Sequence, residues 1–258
     1  MNDAAACRRD GPNRRLALAA ACAVSALMIA ARPAEAQPAG SAPSTSPPGD
    51  APEAAAIPDL SGTWFPDYCI PDGQTCPFDI DALELTPRAI EFMSSFDEAI
   101  SPKYDCVPAT IPSIVADPYA WQIRQRSNRV EFHYEKDDVV RVVWVDGRRH
   151  PPPGERYVLG HSIGWYEGDT LVVETANFPY DPIGLDDMTP LPTSTRKTVI
   201  ERYRREGDRL ILDMTVEDEL YLAAPAEAHF EWALTDIEML PYECDLETAR
   251  QPLRFLPD

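Results

Sequence analysis

The chain has 258 residues with ordinary hydrophobic and charged fractions, 44% and 26%, but 43 acidic side chains stand against 23 basic ones, a formal net charge of -20. That field repels polyphosphate, and a short cluster such as Arg202, Arg204 and Arg205 is too small to reverse it, so nucleic acid is excluded as an expected partner. Twenty-seven prolines, about twice the average share, argue against a helical bundle or coiled coil.

Residues 1–36 read as a signal peptide. Arg8, Arg9, Arg14 and Arg15 precede an apolar run from Leu16 to Ala30, and Ala34-Glu35-Ala36 offers the small residues of a cleavage site. The run is shorter than the roughly 20 residues a membrane span needs, and no later stretch is apolar enough, so no transmembrane span is expected in the mature form. The expected location is the periplasm or the exterior. Residues 37–58, rich in Pro, Ala and Ser, have little to bury and read as a disordered linker, leaving 59–258 as a single domain. Four cysteines remain after cleavage: Cys69, Cys76, Cys106 and Cys244. In an oxidising compartment they admit three pairings. Cys69 and Cys76 flank a turn-rich stretch, which favours a bridge between them and a second from Cys106 to Cys244.

One segment looks helical. Thr86-Pro87 has the form of an N-cap followed by proline at the first helical position, and Ile90, Phe92, Met93 and Phe96 give an apolar side through about Ile100. From Tyr119 onward, β-branched and aromatic runs alternate with tight polar turns: 121–126, 130–135, 139–145, 156–166, 170–178, 195–204, 210–217 and 230–239. Their separators include Ser127-Asn128, Asp146-Gly147 and two copies of Glu-Gly-Asp. Eight or nine consecutive antiparallel strands with one helix near 87–100 predict an all-β fold, either an up-and-down barrel or a strongly curved sheet, since closure removes exposed edges. A β-sandwich is the alternative. Gly62-Thr63-Trp64 resembles the first-strand motif of the lipocalins; the alternative of equal weight is a Trp64 that simply caps the core.

The most distinctive stretch runs from Gly160-His161-Ser162 to Leu171-Val172-Val173-Glu174-Thr175, after Asp146-Gly147-Arg148-Arg149-His150-Pro151. Together these resemble a widespread family of exported bacterial proteins of unknown function, over about residues 104 to 220. The resemblance implies a lipocalin-like β-barrel and no named activity. The chain departs from the family pattern at Trp165-Tyr166, where members tend to have Arg-Trp, at Glu174, where they have Asp, and at Thr198, where they have His.

If Gly168-Asp169 is a two-residue turn, Ile163 pairs with Glu174 and His161 with Ala176. His161 and Glu174 then lie diagonally on one face, roughly 7 to 8 Å apart between backbones, so the carboxylate can fix a tautomer and raise the basicity of the imidazole. The alternative is that His161 bonds a backbone carbonyl and Glu174 faces water. No metal-ligand spacing, phosphate loop or nucleophile elbow is present, so no metal or cofactor is expected.

Two function classes follow. The favoured one is a small-molecule-binding barrel, its ligand a small apolar or aromatic molecule held by Trp121, Phe132, His133, Tyr134, Trp144, Trp165, Tyr203 and Trp232. The other is a cofactor-independent lyase, isomerase or hydrolase with His161 as general acid or base, Glu174 orienting it, and Arg141 stabilising negative charge. An envelope interaction protein without an enclosed pocket is a third reading.

Overall fold

The computed structural model describes residues 57–66, 78, 80–186 and 190–255. The expected signal peptide, most of the linker, and Cys69 and Cys76 lie outside the described residues. No helix among the described residues is long and apolar enough to cross a membrane.

Nine strands close a barrel, the all-β architecture expected from the alternating runs. They are β1 (Gly62–Pro66), β2 (Trp121–Gln125), β3 (Arg129–Tyr134), β4 (Val139–Trp144), β5 (His161–Glu167), β6 (Thr170–Ala176), β9 (Thr198–Glu206), β10 (Arg209–Glu217) and β11 (Ala226–Thr235). Between β6 and β9 the chain leaves the barrel to form a separate two-stranded sheet, β7 (Asp181–Asp186) with β8 (Leu191–Thr193). Around the barrel the order is β1-β11-β10-β9-β6-β5-β4-β3-β2, and β1 pairs with β2 to complete the closure. Both copies of Glu-Gly-Asp make the two-residue turns their composition suggests: Gly168 and Gly207 have φ of +65° and +63°, and Glu167 pairs with Thr170 and Glu206 with Arg209.

A simple meander would make every pairing antiparallel, but β4 and β5 run parallel, Val143 opposite Ser162 and Trp144 opposite Ile163. A parallel pair needs a long return. Residues 145–160 provide it, which is why β5 begins at His161 rather than near Arg156.

Period-two alternation sends one set of side chains inward. β3 shows it plainly: Val130, Phe132 and Tyr134 are buried, while Arg129, Glu131 and His133 are only partly covered. The interior is filled by aromatic rings in mutual contact. Trp121 packs 5.6 Å from both Phe132 and Tyr134 and 5.1 Å from Trp232, with Tyr203 at 6.3 Å. Trp64 is buried too, its indole N–H donating to the carbonyl of Leu60 at 3.1 Å.

The expected helix is present and shorter than its apolar pattern. α1 (Pro87–Ser94) has Thr86 as N-cap, accepting from the amide of Ala89, and a separate short turn covers Glu98–Ile100. Two one-turn helices, α2 (Ser113–Ala116) and α3 (Leu246–Ala249), lie in the loops at 101–120 and after β11. Cys106 and Cys244 form the expected long-range disulfide.

Candidate functional site

The register inferred for the β5–β6 hairpin is the one observed: His161 opposite Ala176 and Ile163 opposite Glu174. Ser162 and Thr175 point into the barrel and are buried, so His161 and Glu174 stand on its outer face, both partly covered.

Between them lies His150, delivered by the loop that returns from β4 to β5. Its Nδ1 is 2.9 Å from Nδ1 of His161, and its Nε2 is 3.3 Å from Oε1 of Glu174. Nε2 of His150 is enclosed and makes no aligned hydrogen bond, so the carboxylate is the charged group it faces. The loop is held from below by Asn177, a residue that tolerates its φ of +62° and donates from its side-chain amide to the carbonyls of Pro152 and Glu155 at 3.2 and 3.0 Å. Its own carbonyl accepts from the amide of Tyr157 at 3.0 Å. Gly160 closes the loop with φ of +70°. A Cβ there would come within 2.6 Å of Thr175 Cγ2 and 2.9 Å of the Ala176 carbonyl.

Around the two imidazoles stand Tyr157, its ring 6.0 Å from that of His161, and Arg148, stacked at 3.5 Å over Trp144 and bonded to Asp146. Partial burial lowers the pKa of His161 below its usual value, and the charges of His150 and Arg148 add to the effect, with Glu155 opposing them. The ring is therefore neutral near pH 7. With one proton on each ring, a His150 protonated at Nε2, the nitrogen 3.3 Å from the Glu174 carboxylate, leaves its Nδ1 to accept from Nδ1–H of His161. Nε2 of His161 is then a free proton acceptor. Protonating it creates an imidazolium beside His150, with the Glu174 carboxylate on the far side of that ring, an arrangement suited to general acid–base chemistry.

Arg141, grouped with His161 and Glu174 in the sequence reading, is on the other side of the wall. It is buried inside the barrel, donating to both carboxylate oxygens of Glu201, to Thr175 Oγ1 at 2.7 Å and to Ser162 Oγ at 3.0 Å. Tyr203 donates to the same carboxylate at 2.6 Å. Arg141 holds the barrel together, and it is Arg148 that lies on the His161 side. The neighbouring Tyr134 hydroxyl is enclosed, and burial pushes its pKa up to about 12.

The residues expected to line a ligand pocket divide in the same way. Trp121, Phe132, Tyr134, Tyr203 and Trp232 are interior and packed on one another, whereas Trp144 and Trp165 project outward, Trp165 with its indole N–H on Glu167 at 2.8 Å. His133 is on the outer face, 3.6 Å from Glu131, its pKa lowered by partial burial and by Arg124. Thr198 lies just beyond the Thr175–Val199 pair and shares the outer face with His161. A separate cleft of about 490 Å³ lies beside the disulfide, between the 102–109 segment, the Lys136-Asp137 turn, β7 and α3.

The run His150-Pro151-Pro152-Pro153 marks His150 in sequence as a loop residue at one rim that could close over a ligand or stiffen the turn; its contacts with His161 and Glu174 are what the structure adds. No protein-family model matches the chain, and comparison with curated proteins finds no match.

Proposed function

We propose that the protein is an exported enzyme, a lyase, isomerase or hydrolase whose chemistry is proton transfer, with His161 as general acid or base. His150 is its hydrogen-bonded partner and Glu174 the orienting carboxylate. The observation that carries this reading is the meeting of two segments. Asp146–Pro151 and Gly160–Thr175, the stretches that resemble the exported bacterial family, each contribute one histidine, and the two Nδ1 atoms lie 2.9 Å apart. In the reaction, Nε2 of His161 takes a proton from the substrate, or from the attacking water in a hydrolysis, and returns it to the leaving or rearranged group; Arg148, ion-paired with Asp146, stands on the same side. These side chains suffice for proton transfer, so the reading adds no cofactor. The Cys106–Cys244 disulfide agrees with an oxidising location outside the cytoplasm.

The test is to expose the disulfide-bonded protein to a small-molecule extract of its host and follow every component by mass spectrometry. A compound consumed by the wild type and spared by His161→Ala supports the reading; equal consumption by both overturns it.

Small-molecule binding is the second reading, favoured by the 490 Å³ cleft, a volume within the usual range of ligand sites. On this reading the ligand sits at the rim of the barrel, outside the packed aromatic interior. A compound retained unchanged from the same extract supports it.

A further inference from the structure

We infer that the cleft beside the disulfide binds a small organic cation, a protonated nitrogen on an apolar body; this rests on the binding reading just given and is independent of His161. Three of the four segments that line the cleft are tied to one another. The disulfide joins the Tyr104–Val107 wall to the Tyr242–Ala249 wall, and an ion pair between Arg250 and Asp105 repeats that link. Asp138 joins the third, its Oδ2 accepting from the amides of Tyr242 and Glu243 at 2.9 and 3.0 Å. A cavity held from three sides is preorganised, so a ligand need not order its walls.

The charges around it decide the sign of the ligand. Lys103 is 2.6 Å from Glu98, and Lys136 is 2.9 Å from Asp137, so both ammonium groups of the lining are already paired. Asp181 accepts from Thr110 at 2.8 Å, and Thr110 in turn accepts from the buried Lys197 at 3.0 Å, so that carboxylate is already engaged by the protein. Glu243 and Asp245 are left without an opposing charge in the lining. Asp245 accepts from the amide of Thr248, and that backbone bond holds its carboxyl below the usual range, so it is ionised at neutral pH.

The aromatic walls point the same way. The Tyr104 and Tyr242 rings form aromatic wall, each with one of the lining's own lysine ammonium groups nearby, at 5.3 and 4.7 Å from the ring centre. Val107 and Ile183 supply apolar surface for the ligand's body. The net charge of -20 adds a long-range attraction for cations.

Calorimetric titration with 2-phenylethylammonium, 2-phenylethanol and 3-phenylpropionate at low ionic strength tests this. The ammonium is expected to bind, the alcohol weakly and the carboxylate not at all, and added salt weakens the binding. Glu243→Gln and Asp245→Asn are each expected to weaken it about two- to fivefold, and asparagine keeps the α3 cap because it caps helices as well as aspartate does. His161→Ala is expected to leave it unchanged. Carboxylate binding equal to that of the ammonium, no ammonium binding, or no effect of either carboxamide variant overturns the inference. If the host extract yields a retained neutral or anionic compound, the binding reading stands and the cationic ligand falls.

Discussion

Nδ1 of His150 and Nδ1 of His161 face each other at 2.9 Å, close enough that one ring must donate and the other accept. Because Glu174 occupies the far side of His150, the favoured arrangement leaves Nε2 of His161 unprotonated and outward. Once a substrate is in hand, His161→Ala is expected to lower turnover by about 10² to 10⁴, the usual contribution of a general acid or base. His150→Ala and Glu174→Gln are expected to cost less, since the accepting nitrogen survives. Turnover of the three variants, measured side by side, checks that order.

The pH dependence has a definite sign. Burial, followed by the charges of His150 and Arg148, lowers the pKa of His161, so its base form appears below the ordinary histidine range. If His161 acts as the base, turnover rises with pH through that lowered value. Arg148→Gln removes one of the depressing charges and is expected to move the midpoint upward. A pH–rate profile for each protein checks this.

The return loop owes its position to Asn177. Asn177→Gly keeps the backbone free to adopt φ of +62° but deletes the side-chain bonds to the Pro152 and Glu155 carbonyls. We expect a loss of about 1 to 3 kcal/mol in stability and a fall in turnover to the level of His150→Ala. Urea unfolding and the turnover assay read the two effects separately. Retained turnover would mean that the loop is held by other contacts.

Inside the wall, Arg141 and Glu201 form a fully buried pair. Glu201→Gln leaves the guanidinium in the core without a counter-charge, a change expected to cost about 3 to 5 kcal/mol. Replacing both by Met and Leu is expected to cost less than the single change, because the desolvated charge goes with the pair. Chemical denaturation of the two variants decides it.

Lys197 is a second buried basic side chain, donating to the Ile111 carbonyl at 2.6 Å as well as to Thr110. Burial lowers its pKa to about 7, against the pull of Asp181 and Asp218. Its ordinary value is 10.5. Between those values the unfolded chain holds a proton that the folded protein has released, so stability from this group rises with pH across that window and is lowest below about 7. Lys197→Met shares every other titration with the wild type. The stability of the wild type relative to this variant is therefore expected to grow from pH 7 to pH 9, measured by denaturation at each pH.

Much of this was legible in the chain itself. Gly168-Asp169 sets a two-residue turn, and the turn sets the register that places His161 beside Glu174, because side chains alternate strictly along both strands. The same alternation hides what crosses the wall. Arg141 and His161 lie on strands paired to one another, yet they face opposite sides of the barrel, and the partner of Arg141, Glu201, is 60 residues away. His150 is readable as a loop residue at one rim, ahead of Pro151-Pro152-Pro153, but its contact with His161 is not, because a loop has no period from which a face can be deduced. The parallel β4–β5 pairing came from that same loop, since strand composition does not specify direction.

The central claim is that His161 presents an unprotonated Nε2, held by His150 and Glu174. Nitrogen-15 NMR of the histidine rings at pH 7 tests it most directly. The account predicts a protonated Nδ1 and a free Nε2 on His161, titrating below 6.5, with that preference weakened in Glu174→Gln. A His161 protonated at Nε2, or titrating above 6.5, would contradict it.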